Sequence, residues 1–273
     1  MSSLDAALIR RLLSERTSAQ LDDLECFASI ASTNTYLLEQ VPPKAERFRV
    51  AIADHQTAGR GRHDRHWVSP AGTGLCMSLA YTFDEQPDQL SSLTLAIGIG
   101  VVDALRQLEI EGVSLKWPND IVALDGKLGG ILTEVRTRAA DSVTVVSGIG
   151  LNIELGNGEE TGIDSEWARR AIDVSSVAEK VPAREEIAAG IIEAINTAMR
   201  KFEVLGFAGF SQDWAQHDWL QGREVTVDLP AGRITGVAAG VDTDGALIVD
   251  TGKEKARVVS GSIVTAGLTE VAH

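Results

Sequence analysis

The stretch SLKWPNDIVALDGKLGGILTE, residues 114–134, packs alternating β-rich runs and turns into one short segment. SLKW (114–117), DIVAL (120–124) and GILTEV (130–135) carry the apolar and branched side chains of strands. Pro118-Asn119 and Asp125-Gly126 supply the turns between them. The run SVTVVSGIGLNI (142–153) continues the series. Upstream, Val50, Ile52 and Ala53 form a short apolar run, and LCMSLAYTF (75–83) has β-like content, so the two read as strands joined across a long loop.

Helical spacing appears on either side. From about Gln89 to Leu108, Leu90, Leu93, Ala96, Ile97, Val101, Ala104, Leu105 and Leu108 recur at three- and four-residue steps, which predicts a helix with one face on a sheet. Gly98 and Gly100 inside it each cost about 1 kcal/mol relative to Ala, so close packing is the expected reason for them. A second helix is expected from near Pro182, burying Ile187, Ile191, Ile195 and Met199. The N-terminal MSSLDAALIRRLLSERTS reads as one short amphipathic helix. After Gly222 the texture changes to REVTVDL, RITGVAAGV, ALIVD and ARVVSG, short strands split by Pro230, Gly232, Asp244-Gly245 and Gly252. They predict a small antiparallel barrel appended to an α/β domain.

Composition narrows the function. With 39 acidic against 25 basic side chains the net charge is −14, against wrapping a nucleic acid, which needs a broad basic surface. The 2 cysteines, Cys26 and Cys76, have no metal or redox spacing. The N-terminus lacks the apolar core of a signal peptide, and no stretch approaches the roughly 18 apolar residues of a membrane span. The expectation is a soluble, cytoplasmic protein with no membrane partner.

Against that acidic background, GRGRHDRHW (59–67) places Arg60, Arg62 and Arg65 together between glycines. Backbone N–H groups and guanidinium forks of such a loop can converge on an anion; equally, the loop can be a solvated surface. It lacks the P-loop lysine and the third glycine of a dinucleotide fingerprint. His63 and His66 have no third metal ligand nearby. Lys127, on a tight turn beside Gly126, is placed to stabilise phosphoryl charge or to be an ordinary hairpin lysine. Ser32-Thr33-Asn34 suits a helix cap. Asn152 ends a strand, where polar groups often meet ligands.

In this order and approximate spacing, STN (32–34), HQTAGRGRHDRHW (55–67), KWPND (116–120), GKLGGIL (126–132) and GIGLNI (148–153) resemble biotin protein ligases, from about Ser29 to the C-terminus. The GRGR…R-x-W and KWPND pair is the specific part. Lys127 precedes L-G-G where many members have L-A-G, a small-for-small change that leaves it in register. The resemblance implies an α+β fold: a mixed-sheet biotin/lipoate-ligase-type catalytic domain over residues 1–220, its first 22 a helical extension, and a C-terminal SH3-like β-barrel over 221–273. Members that also repress transcription carry a winged helix-turn-helix domain ahead of the STN motif. That motif begins at residue 32 here, so the expected form is the single-function ligase.

The implied reaction joins biotin to one lysine of a biotin carboxyl carrier protein, using ATP and Mg²⁺ through biotinyl-5′-AMP. The resemblance assigns Ser32, Thr33, Asn34, Gln56, Arg60, Gly61, Arg62 and Lys127 to biotin, with Lys127, Arg60 and Arg62 catalytic. It assigns Gly59, Arg65, Trp67, Asn119 and Asn152 to ATP and the adenylate, Trp67 also packing beside the biotin tail, and implies no fixed protein metal site. The loop over 59–66 is expected to be mobile without ligand and ordered over the adenylate. Some relatives dimerise through an exposed sheet, so a homodimer is among the implied states. Two other readings compete: a biotin-sensing DNA regulator, which needs a basic recognition helix, and a lipoyl or octanoyl transferase, which lacks the GRGR and KWPND combination.

Overall fold

Alternate positions of LCMSLAYTF differ in size: Leu75, Met77, Leu79, Tyr81 and Phe83 are large, and Cys76, Ser78, Ala80 and Thr82 are small. In a strand these two sets face opposite sides. The computed structural model, which describes residues 4–137, 142–155 and 171–268, makes this segment β3 (Gly74–Phe83), buried along its whole length. It lies inside a seven-stranded sheet of order β1-β2-β3-β7-β6-β5-β4. The other members are β1 (Leu21–Phe27), β2 (Phe48–Ala53), β4 (Val113–Lys116), β5 (Asp120–Ala123), β6 (Gly126–Thr137) and β7 (Val143–Asn152). β1 runs parallel to β2 and the remaining pairs are antiparallel, so the sheet is mixed, as expected.

The large-residue face packs on α4 (Leu93–Gln107) and α5 (Arg184–Leu205) in the main core. Both glycines of α4 mark close approaches: a Cβ on Gly98 would lie 3.0 Å from the Leu115 side chain, and one on Gly100 would lie 3.1 Å from the Ala194 carbonyl of α5. Together with the 3₁₀ turn before it, this helix corrects one expectation. Leu90–Gln107 reaches a mean hydropathy of 1.2 over 18 residues, enough for a span by length and composition, but 61% of it is buried against protein. The opposite sheet face carries α3 (Thr33–Glu39), whose Leu37 packs on Ala51, Ala80 and Val146. Beyond α3 the small side chains leave that face open.

The N-terminus differs from the single helix expected. Asp5 caps α1 (Ala6–Leu12) and Ser14 caps α2 (Glu15–Gln20), and the chain enters β1 at Leu21, inside the expected extension. The strand was not anticipated because LDDLECF shows no clean alternation. α6 (Ser211–His217) also escaped the sequence reading; at 7 residues it is too short to show a period.

From Arg223 the chain forms a second, antiparallel sheet of order β11-β10-β9-β8-β12. Its strands are β8 (Arg223–Leu229), β9 (Gly232–Val241), β10 (Leu247–Asp250), β11 (Lys255–Val258) and β12 (Ser262–Leu268), the last not anticipated. Contacts to turns of the first sheet help to tie it, and the segment leading into it, in place. Trp117 Nε1 donates to the Gly245 carbonyl at 3.1 Å. Trp219 Nε1 and Arg223 Nη2 both donate to Asp125 Oδ1, at 3.0 and 3.1 Å. The Arg223 guanidinium also stacks 3.8 Å over the Trp219 ring.

Candidate active site

One cavity of about 680 Å³ opens on the small-residue face, walled by both sheets. Ser32, Thr33, Asn34, Gln56, Arg60, Gly61, Arg62, Arg65, Trp67, Asn119 and Lys127 all line it; Gly59 and Asn152 do not. Two glycines of GIGLN explain how the space arises. A Cβ on Gly148 would lie 2.3 Å from Asn34 Oδ1, and one on Gly150 would lie 2.3 Å from the Trp67 ring. The motif's glycines therefore seat two site side chains. Its asparagine turns elsewhere: Asn152 Nδ2 donates to the carbonyls of Lys127 and Ile172, at 3.3 and 3.0 Å, fastening the start of β6.

The uncharged end is built on α3. Ser32 is its N-cap, accepting from the Thr35 N–H at 3.4 Å, and it also lines the cavity. Gln56 Oε1 accepts from the Thr33 backbone N–H at 2.8 Å. Asn34 Nδ2 donates to the Leu132 carbonyl at 3.2 Å and to Glu134 Oε2 at 2.9 Å. Those partners set both amide orientations. Between Gln56 Oε1 and Asn34 Oδ1 run the Thr33 and Ser78 hydroxyls, at successive oxygen separations of 3.1, 2.6 and 2.6 Å. Three contacts share two hydroxyl protons, so one has none. This end accepts ligand N–H groups readily.

The other end is cationic. Lys116 and Asp120 are cross-strand partners either side of the Trp117-Pro118-Asn119 turn. Lys127 Nζ meets Asp120 Oδ1 at 2.6 Å and stands 5.8 Å over the Trp67 ring. Burial, opposed by Asp120 and reinforced by Lys127 and Arg65, pushes the Lys116 ammonium down to about 8. Burial also pulls the Arg62 guanidinium below its ordinary value, opposed by Asp120 and reinforced by Arg65. Lys116, Lys127 and Arg62 thus share the carboxylate Asp120, with Arg65 a further positive charge beside them, which favours an anion here. Asn119 braces this end: its Nδ2 donates to the Ile131 carbonyl at 3.0 Å, and its Oδ1 accepts from Arg62 at 3.4 Å.

One placement corrects the sequence reading and one adds to it. The turn falls at Leu124 and Asp125, with φ of 46° and 55°, so Lys127 is the second residue of β6 and well covered. It is no exposed hairpin lysine. Arg60, expected at the anion, lines the cavity and is paired with Glu134, its Nη2 donating to Oε1 at 2.8 Å. The loop itself is a narrow turn: Trp67 N–H donates to the Gly59 carbonyl at 3.0 Å and Gly61 N–H to the Arg65 carbonyl at 2.7 Å. Gly59 serves that closure, since a Cβ there would lie 2.3 Å from the Trp67 carbonyl.

Sequence reasoning missed Lys116, Asp120, Ser78 and Glu134. Lys116 and Asp120 stood inside KWPND, and their cross-strand pairing was the available signal. It also missed the wall supplied by the second sheet, Asp228–Pro230 and Ser260–Val264. From that wall the Gly261 carbonyl accepts from Arg62 Nη1 at 3.4 Å.

Residues 26–152 match the biotin/lipoate A/B protein ligase family and residues 221–265 match the biotin protein ligase C terminal domain. The chain is 33% identical over 244 residues to the bifunctional ligase/repressor BirA of Salmonella typhimurium, covering 89% of this chain and 74% of that protein. It is 33% identical over 247 residues to the biotin--[acetyl-CoA-carboxylase] ligase of Mycobacterium tuberculosis, covering 88% of each. Among solved structures, the biotin protein ligase from Aquifex aeolicus in complex with biotin and ATP superposes with a TM-score of 0.73 at 28% identity, covering 89% of this chain and 97% of that one.

Proposed function

This chain belongs to the biotin protein ligase family, and from that premise we propose how its cavity performs the reaction. The enzyme attaches biotin to a carrier-protein lysine at the expense of ATP, by way of biotinyl-5′-AMP. What supports a specific reading of the site is the proton-poor run from Gln56 to Asn34 facing a cation cluster across one cavity. The ureido ring of biotin brings two N–H donors to that run. A lipoyl or octanoyl chain has none, and would leave the buried hydroxyls and amides unpaired.

With the ring held there, the valeryl tail passes Trp67 and its carboxylate reaches the cationic end. A biotin carboxylate oxygen attacks the α-phosphorus of ATP and pyrophosphate leaves. Lys127, Lys116 and Arg62 offset the repulsion between carboxylate and phosphate, and their effect grows as charge gathers on the phosphoryl oxygens. The carrier lysine, as its neutral amine, then attacks the acyl carbon; AMP leaves and the nitrogen gives up a proton. Arg65 lies on the pyrophosphate side in this scheme, and Asn119 keeps the turn in register.

Mg²⁺ would reach the cationic end on the nucleotide phosphates, since Asp120 is already paired with Lys127. Among the described residues no group of three His, Cys, Asp or Glu is placed to hold an ion unaided, so the nucleotide phosphates and water would complete its shell. When bound it neutralises phosphate charge. The net charge of −14 argues against a DNA partner.

Incubating the protein with biotin, Mg²⁺ and α-labelled ATP tests the reading. Labelled biotinyl-adenylate is expected, with none from lipoate or octanoate. Failure to form it under any condition would falsify the assignment.

A further inference from the structure

We infer that Glu134 is a positioning residue of this reaction, a single carboxylate that orients the Asn34 amide and latches the 59–67 loop through Arg60. The inference rests on the ligase reading above. Glu134 sits on β6, does not line the cavity, and its side chain is 21% exposed. Oε1 accepts from Arg60 Nη2 at 2.8 Å, and Oε2 accepts from Arg60 Nη1 at 3.3 Å and Asn34 Nδ2 at 2.9 Å. A weaker third contact runs from Arg60 Nη1 to the Thr35 hydroxyl at 3.5 Å.

The two duties meet in one group. Asn34 presents Oδ1 to Ser78 only while Nδ2 has acceptors behind it, and Glu134 is one of two. The same carboxylate holds the loop by a two-pronged, charge-assisted contact. Arg60 remains 45% exposed, so solvent screening keeps the latch weak and reversible. A loop of this kind can open to admit substrates and admit the carrier afterwards. Closure then depends on the strand that also sets the ureido pocket, which links loop position to pocket geometry.

Glu134→Gln separates the duties, because one amide oxygen still accepts from Asn34 while the ionic grip on Arg60 is lost. Trypsin cleavage after Arg62 and Arg65 in the ligand-free enzyme should accelerate about fivefold. Arg60→Gln should do the same, and the double variant should cleave no faster than either single one. Melting temperatures measured alongside should stay together. In the loaded enzyme, Glu134→Gln should release biotinyl-adenylate about fivefold faster, with ligand-free biotin affinity retained within about twofold. Glu134→Ala, which also strips an acceptor from Asn34, should lower biotin affinity further. Unchanged cleavage in Glu134→Gln, or additive rates in the double variant, would overturn the latch. A wild-type enzyme that makes no adenylate sinks the ligase reading instead, and the ligand-free cleavage cycle still decides the latch.

Discussion

Lys127 shows how a side chain acquires chemistry from its neighbours. Its ammonium stands between Asp120 and the Trp67 face, covered by the cavity wall, with Lys116 and Arg62 facing the same carboxylate. Lys127→Ala should therefore slow adenylate formation by about two to three orders of magnitude, the cost of deleting a preorganised charge. The melting temperature should move little, because the lysine contributes almost nothing to the core. An unfolded variant would return Lys127 to a structural role. GKLGG and KWPND were legible as motifs, but the ion pair that joins them was not, since no spacing rule brings residue 120 to residue 127. Ser78 was hidden for a related reason: a serine among large strand residues looks like any solvent-facing position until the sheet face it lines is known.

At the scale of elements, strand alternation decides where the cavity lies. β3 and β7 turn bulky side chains to α4 and α5 and small ones to α3, and the space is what the small ones leave. Gly148→Ala should therefore displace the Asn34 amide and weaken biotin binding by calorimetry about tenfold or more, the cost of unpairing a buried polar group. Gly150→Ala should move the Trp67 ring and reduce both biotin and adenylate binding. Intact biotin affinity in Gly148→Ala would mean the amide does not read the ligand. The helices over 93–107 and 184–205 were readable because long amphipathic periods report a buried face directly. β1, α6 and β12 were not: short segments gain their structure from the sheet or helix they join, a contact outside their own sequence.

Across the whole molecule, the second sheet walls the cavity with Asp228–Pro230 and Ser260–Val264, and contacts from its side hold the turns at Trp117 and Asp125. Arg223→Ala removes both the Asp125 pair and the stack on Trp219. It should weaken ATP binding about three- to tenfold, as an ordered wall is lost, while biotin affinity stays unchanged. Equal loss at both ends would indicate general loosening. By itself the sequence determined the two-part α+β order, the long helices, the central strands and the motif set, because those depend on local period, turn chemistry and residue type. Tertiary structure alone decided which arginine joins the Asn119 turn and which pairs with Glu134, that Asn152 braces the backbone, and that the terminal sheet walls the cavity. Each of those outcomes depends on groups distant in sequence competing for the same partner, and only the folded chain sets the distances over which that competition is resolved.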